Sequence, residues 1–238
     1  MFAKNFDKWD TLLGWFVFLV ALVIYGITTE PTGSFWDAGE YISTSAKLQV
    51  AHPPGAPFMQ MMGAFFAMFA PGPENVAFLV NMMSGVSSAF ALLFMFWTIT
   101  NLGRKLTGWN QSATDAKGMA ILGAALVGCL SLAFSDSFWF NAVETEVYAM
   151  ASLVMSLLFW LGLKWTDNMD NPRGNRYLVL IAFVTGLTFG IQFMGFLAIP
   201  SIGLLYFFKR FGDAIPPWKF ILANVAVVAV LMLVYKFS

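Results

Sequence analysis

Two short stretches of this chain hold the residue types that can move a proton, balance an anion or hold a cation. The first runs Trp36-Asp37-Ala38-Gly39-Glu40-Tyr41, passes Lys47 and ends in Ala51-His52-Pro53-Pro54-Gly55-Ala56-Pro57, gathering two carboxylates, an ammonium and the only histidine. The second, Asp136 to Tyr148, carries Glu144 and Glu146. If a helix opens at Asp37, then Asp37 and Glu40 share one of its faces. Trp36 and Tyr41 stand close by, as a sugar or lipid-phosphate pocket would require. The competing reading is a capping box, in which Asp at the helix start and Glu three residues later satisfy free backbone N–H groups.

His52-Pro53-Pro54-Gly55 cannot be helical throughout, because successive prolines remove donors and force the preceding residues toward extended geometry. A stiff strap results, and it would hold His52 near the acidic helix. The alternative for a lone histidine is a structural hydrogen bond. In the second stretch, extended chain would point Glu144 and Glu146 the same way, whereas helix would align Glu144 with Tyr148. Either arrangement aims a carboxylate at the first stretch. Like charges this close repel unless hydrogen-bonded, separated or bridged by a cation, so Glu144 and Glu146 are the expected place for a divalent metal ion. The alternative is an aromatic interface belt with solvated acids beside it.

The elements that must position these residues are membrane helices. The 238 residues are 59% hydrophobic and 11% charged, with a mean hydropathy of +0.72, too apolar for a soluble domain. Apolar runs predict an all-α polytopic membrane protein of about seven spans, at residues 11–29, 75–100, 118–135, 146–165, 177–191, 193–208 and 219–237. The first is read as an uncleaved anchor, since it is long for a signal peptide and no small-x-small cleavage site follows. Residues 56–70, bracketed by prolines, are too short to cross and predict an interfacial helix. The loops that carry the chemistry are then 30–75 and 136–146, within a single unit covering residues 1–238.

With the N-terminus inside, all of the 13 Lys and Arg residues except Lys47 and Lys236 fall on the cytoplasmic side, a strong positive-inside pattern. The opposite side receives Glu30, Asp37, Glu40, Glu74, Asp136, Glu144 and Glu146. Such an acidic outer face suggests a site for a base, a cation or a metal. Gln192, at the turn between the fifth and sixth expected spans, could reach the same cavity. Gly186 and Gly190 have the small-xxx-small spacing of close helix packing.

Other chemistries are poorly served. Cys129 is the single cysteine, so neither a disulfide nor a thiolate metal site can form within the chain. The inside links lack a glycine-rich phosphate loop, and no nucleic-acid partner is expected.

Asp37-Ala38-Gly39-Glu40 followed by Val50-Ala51-His52-Pro53-Pro54-Gly55 resembles the first loop of the protein O-mannosyltransferase-like membrane family, a branch of the GT-C glycosyltransferases that use polyprenyl-phosphate sugars. Glu144-Thr145-Glu146-Val147-Tyr148 resembles the second acidic motif of GT-C enzymes. The resemblance covers most of the chain and implies a bacterial inner-membrane enzyme with an outward-facing site. It would move a mannose-like sugar to a hydroxyl acceptor, protein Ser or Thr. Gln192 and Gly195 stand where bacterial relatives often carry histidine and asparagine. Family members extend well beyond seven spans, so the chain reads as the N-terminal part of a longer architecture.

In this reading Asp37 is the base, because a Ser or Thr hydroxyl is barely ionised at neutral pH. Glu40 orients it or the acceptor. Glu144 and Glu146 hold donor hydroxyls or a divalent ion, and Lys47 and His52 are the available phosphate partners. Trp36, Tyr148 and Gln192 complete the expected donor pocket. Two other classes compete. A transporter or channel would show polar residues deep within its spans, whereas nearly all ionisable residues here lie in loops; the other is a non-catalytic subunit of a membrane assembly.

Overall fold

The computed structural model describes residues 6–108, 116–212 and 216–237. Lys4, the middle of the expected inside link at 109–115 and the side chain of Lys236 lie outside the described residues. Every regular element among those described is helical: α1 (Phe6–Thr28), α2 (Ala38–Ala46), α3 (Phe58–Ala67), α4 (Val76–Thr107), α5 (Ala116–Ala133), α6 (Asp136–Val143), α7 (Val147–Asp167), α8 (Asn175–Leu187), α9 (Ala198–Phe211) and α10 (Pro217–Phe237), with short 3-10 turns between some of them. Among the described residues five helices are long and apolar enough to cross a membrane: α1, α4 with the turn before it, α5, α7, and α9 with the turn before it. The protein is therefore an all-α polytopic membrane protein.

The expectation of seven spans is adjusted at α8. Its 13 residues give way to a 3-10 turn, Thr188–Gly190, and the whole is shorter than a membrane span. The turn is held against α3, because a Cβ at Gly190 would lie 2.8 Å from Phe58 Cβ. α10, with 21 residues, occupies the place of the last expected span. The ten residues of α3 extend about 15 Å, half the hydrocarbon thickness of about 30 Å.

α4 is the central helix and packs against α1, α5 and α7. Its buried face is rich in Ser84, Gly85, Ser87, Ser88 and Ala89. Small residues suit this position because lipid tails give apolar helices no reason to prefer each other, leaving close packing to hold them. A Cβ at Gly85 would lie 3.3 Å from the Ala142 carbonyl oxygen and 3.4 Å from Tyr25 Cβ. One buried cluster joins α1, α4 and α5 through Val17, Leu92, Phe96 and Ala125. A second joins α7, α8 and α9 to Tyr41, Ala51 and Met59 of the first loop.

This packing leaves charged groups at two ends of the bundle. At the start of α1, Asp7 pairs with Arg104 at 2.9 Å, and nearby Lys105 pairs with Asp167 at 2.7 Å. At the other end of α1 lie the two acidic stretches.

Candidate active site

The two stretches are brought together by an amide that sequence reasoning did not single out. Asn81, fully buried in the first half of α4, donates from Nδ2 to the carbonyls of Glu30 (2.8 Å) and Thr32 (3.0 Å). Its Oδ1 accepts from the Thr145 hydroxyl. Glu30 N–H also donates to the Val143 carbonyl at 2.9 Å, and the Ser34 hydroxyl donates to Glu144 Oε2. The ends of both loops are thus fixed to one helix. The signal available in the sequence was Asn81 itself, an amide in an apolar run where a lone polar group must find partners.

Asp37 precedes α2 with helical dihedrals and no side-chain cap hydrogen bond. Glu40 does not return to the helix start either. Its Oε1 accepts from the His52 backbone N–H at 2.8 Å, and its Oε2 lies 2.9 Å from His52 Nδ1. The capping box is absent, and both carboxylates turn to the histidine instead. His52 Nε2 lies 3.4 Å from Asp37 Oδ2. An ionised carboxylate only accepts, so Nδ1 carries the proton and donates to Glu40, leaving Nε2 to face Asp37.

The strap holds this geometry from behind. Tyr41 is buried, its ring 5.5 Å from the imidazole, and its hydroxyl donates to the Pro54 carbonyl at 3.0 Å. Gly55 has a φ of +125°, and a Cβ there would meet Tyr41 Cε1 at 3.2 Å and Val147 Cγ1 at 3.4 Å. Glycine is required on both counts, and the strap thereby packs on both acidic stretches at once.

Electrostatics follow from this arrangement. The two hydrogen bonds from His52, the backbone one foremost, hold Glu40 below the usual glutamate range. The bond to Glu40 and the charges of Glu40, Asp37 and Glu146 raise His52, so the imidazole favours its charged form. Burial first, then the charges of Glu144 and Asp37, push the Glu146 carboxyl up to about 6. Burial pushes Tyr41 up to about 12, with Glu146, Asp37 and Glu40 adding to the effect. Asp37, Glu40, His52 and Glu146 therefore form one cluster with mutual fields.

The remaining expected site residues are distributed differently. Glu144 and Glu146 both have extended backbone, as one of the two readings anticipated, but their environments diverge. Glu144 is 3% exposed, its carboxyl raised by burial, and takes the Ser34 hydroxyl. Only its Oε2 is used in that bond, and Oε1 is buried with no hydrogen-bond partner; no metal-holding group of three His, Cys, Asp or Glu side chains forms among the described residues. Gln192 does not reach the cluster in any described contact. Its Oε1 accepts from Met194 N–H at 2.6 Å and caps the following 3-10 turn. Lys47 follows the last residue of α2 and is exposed, ten residues and thus about 15 Å from Asp37 along the axis. Trp36 is 85% exposed, with a φ of 61°. Tyr148 is exposed at the start of α7 and contributes to the field at Tyr41.

Tyr148 also lines a groove between α4, α5, α6 and α7. Its upper part, about 200 Å³, is edged by Ser135, Ser137, Asn141 and Tyr148. Leu132, Phe138 and Ser152 are shared with a deeper part of about 340 Å³, walled by Met95, Met155 and Phe159. The polarity thus falls with depth into the membrane-spanning helices.

The fold and the cluster define a polytopic membrane protein with an acid–histidine site at one end of its bundle. Residues 37–214 match the family described as "Protein O-mannosyl-transferase TMEM260 N-terminal domain". The chain belongs to this family, as the first-loop motif led us to expect. It is 26% identical over 184 residues to a Dictyostelium discoideum protein named "Protein O-mannosyl-transferase tmem260", covering 72% of this chain and 20% of that protein. It is 25% identical over 172 residues to the mouse protein of that name, covering 72% of this chain and 22% of the relative. The match spans about a fifth of these curated relatives' length. No solved structure matches.

Proposed function

We propose that this chain is the membrane-embedded, site-bearing part of a protein O-mannosyltransferase. In this reading it moves a mannose-like sugar from a polyprenyl-phosphate donor to a Ser or Thr hydroxyl of a protein acceptor, on the outer face of the membrane. The observation that carries it is the His52 knot: Glu40 and Asp37 converge on one imidazole beside Glu146, next to a groove that is polar at its mouth and apolar within. A lipid-linked sugar has the same two-part character. The distribution of Lys and Arg supports an outward-facing site.

The transfer breaks the bond between the anomeric carbon and the phosphate oxygen, whose electron pair leaves with the phosphate. The acceptor oxygen bonds to that carbon, and its proton passes to a carboxylate. Asp37 is the assigned base, being half-exposed beside His52. Glu40 fixes the imidazole and so acts as a positioning residue. The negative charges of Asp37 and Glu146 favour the positive charge that builds on a sugar ring as its anomeric bond breaks. Glu144 holds the first loop through Ser34, and no step is routed through a metal. A second assignment of the base, to Glu146, is favoured by its carboxyl near 6, a suitable value for proton acceptance close to neutral pH.

A photoreactive polyprenyl phosphate tests the donor assignment. Crosslinking should fall on residues 132–159, in the groove. Labelling confined to α8–α10 would place the donor elsewhere and refute it.

A further inference from the structure

We propose that the opposite end of the bundle carries a second site, a pocket for the headgroup of a zwitterionic aminophospholipid. It does not depend on the function proposed above. A cavity of about 340 Å³ opens between α1, α4 and α7, roughly 27 Å along α1 from the His52 end. Three tryptophans wall it. The Trp97 ring lies 5.7 Å from that of Trp160 and 6.3 Å from that of Trp15. Tryptophan faces are the strongest side-chain partners of an organic cation.

Acceptors in this cavity lack donors. Asp10 Oδ1 and Asn101 Oδ1 are buried with no hydrogen-bond partner. The nearby Asn101 amide is spent elsewhere, on Asp167 at 3.0 Å. A buried acceptor without a partner is costly. A ligand that repairs two of them inside an aromatic wall must bring N–H donors and positive charge, which a primary ammonium does. A quaternary ammonium would satisfy the rings and leave both oxygens unpaired.

Two cations edge the same cavity. Lys164 Nζ sits 5.5 Å over the Trp160 ring, with no ion pair among the described residues. Arg104 pairs with Asp7 at 2.9 Å. Lining the same cavity as the unpaired oxygens, they are the groups that would receive the phosphate of a phosphoethanolamine headgroup. The pocket lies at the ends of three membrane-spanning helices among tryptophans, the depth of lipid headgroups. This assigns the ligand to a phospholipid instead of a free phosphoamine.

The test is native mass spectrometry of the purified, delipidated chain in detergent, titrated with short-chain phosphatidylethanolamine, phosphatidylcholine, phosphatidylglycerol and free phosphoethanolamine. Phosphatidylethanolamine should bind at least about tenfold more tightly than the other two lipids. Asp10→Asn should abolish that preference, and Lys164→Gln should weaken all three lipids. Lys164→Gln, at a helix end, decides the matter if Asp10→Asn fails to purify. Equal binding of the three lipids, an unchanged preference in Asp10→Asn, or unchanged affinity for all three in Lys164→Gln would overturn the site. Free phosphoethanolamine binding as tightly as the lipid would overturn the lipid assignment.

Discussion

Replacing Glu146 by glutamine removes a charge that its surroundings resist. The carboxyl titrates at about 6 in the folded protein against an ordinary 4.5, so the folded state holds its proton more tightly than the unfolded state. Stability from this source is fully present below pH 4.5 and is lost as pH rises through about 6. The shift corresponds to about 2 kcal/mol, and solvent screening at this partly exposed position reduces it to about 1 kcal/mol. For a chain of this size that is about 2–4 °C in melting temperature. Melting of the wild type and Glu146→Gln in detergent should therefore show the variant gaining about 2–4 °C relative to the wild type between pH 4.5 and pH 8. A difference that stays flat across that range, or slopes the other way, would refute the placement of Glu146 among buried and anionic neighbours.

Gly55→Ala forces a side chain into left-handed backbone against Tyr41, and should cost about 1–3 kcal/mol, measured as an earlier melt. Asn81→Ala leaves the Thr145 hydroxyl and two loop carbonyls without their partner, at about 1–3 kcal/mol for each group left unpaired. Limited proteolysis should then cut within residues 30–57 faster than in the wild type. With Cys129 replaced by alanine, single cysteines at Gln49 and Glu74 should both react with an impermeant maleimide added outside cells. Protection of the Glu74 site alone would mean that α3 crosses and that the first loop is not wholly external.

The helical membrane architecture was legible because hydropathy depends on composition along each run, as in α1 and α7. The meeting of Glu40 with His52 was legible too, since the Pro53-Pro54 strap limits where the histidine can go. Less legible was the outcome of choices made by tertiary packing. Spacing allowed Asp37 and Glu40 to cap a helix, and only the approach of the His52 backbone N–H decides against it. Extended geometry put Glu144 and Glu146 on the same side, but could not say that Ser34 would take one and the His52 cluster the other. Gln192 looked available for a cavity, yet it satisfies the backbone of its own turn. α8 was expected to span from its apolar composition, but it is too short and ends in a turn where Gly190 is drawn against Phe58.

The central claim is that the His52 cluster transfers a sugar with Asp37 as its base. Asp37→Asn keeps the size of the side chain and removes its capacity to take a proton, while no cap hydrogen bond is at stake. Mannosyl transfer from a polyprenyl-phosphate donor to a Ser/Thr-bearing protein acceptor should fall at least about a hundredfold, with donor crosslinking and melting temperature retained. Near-normal turnover by Asp37→Asn would contradict the claim.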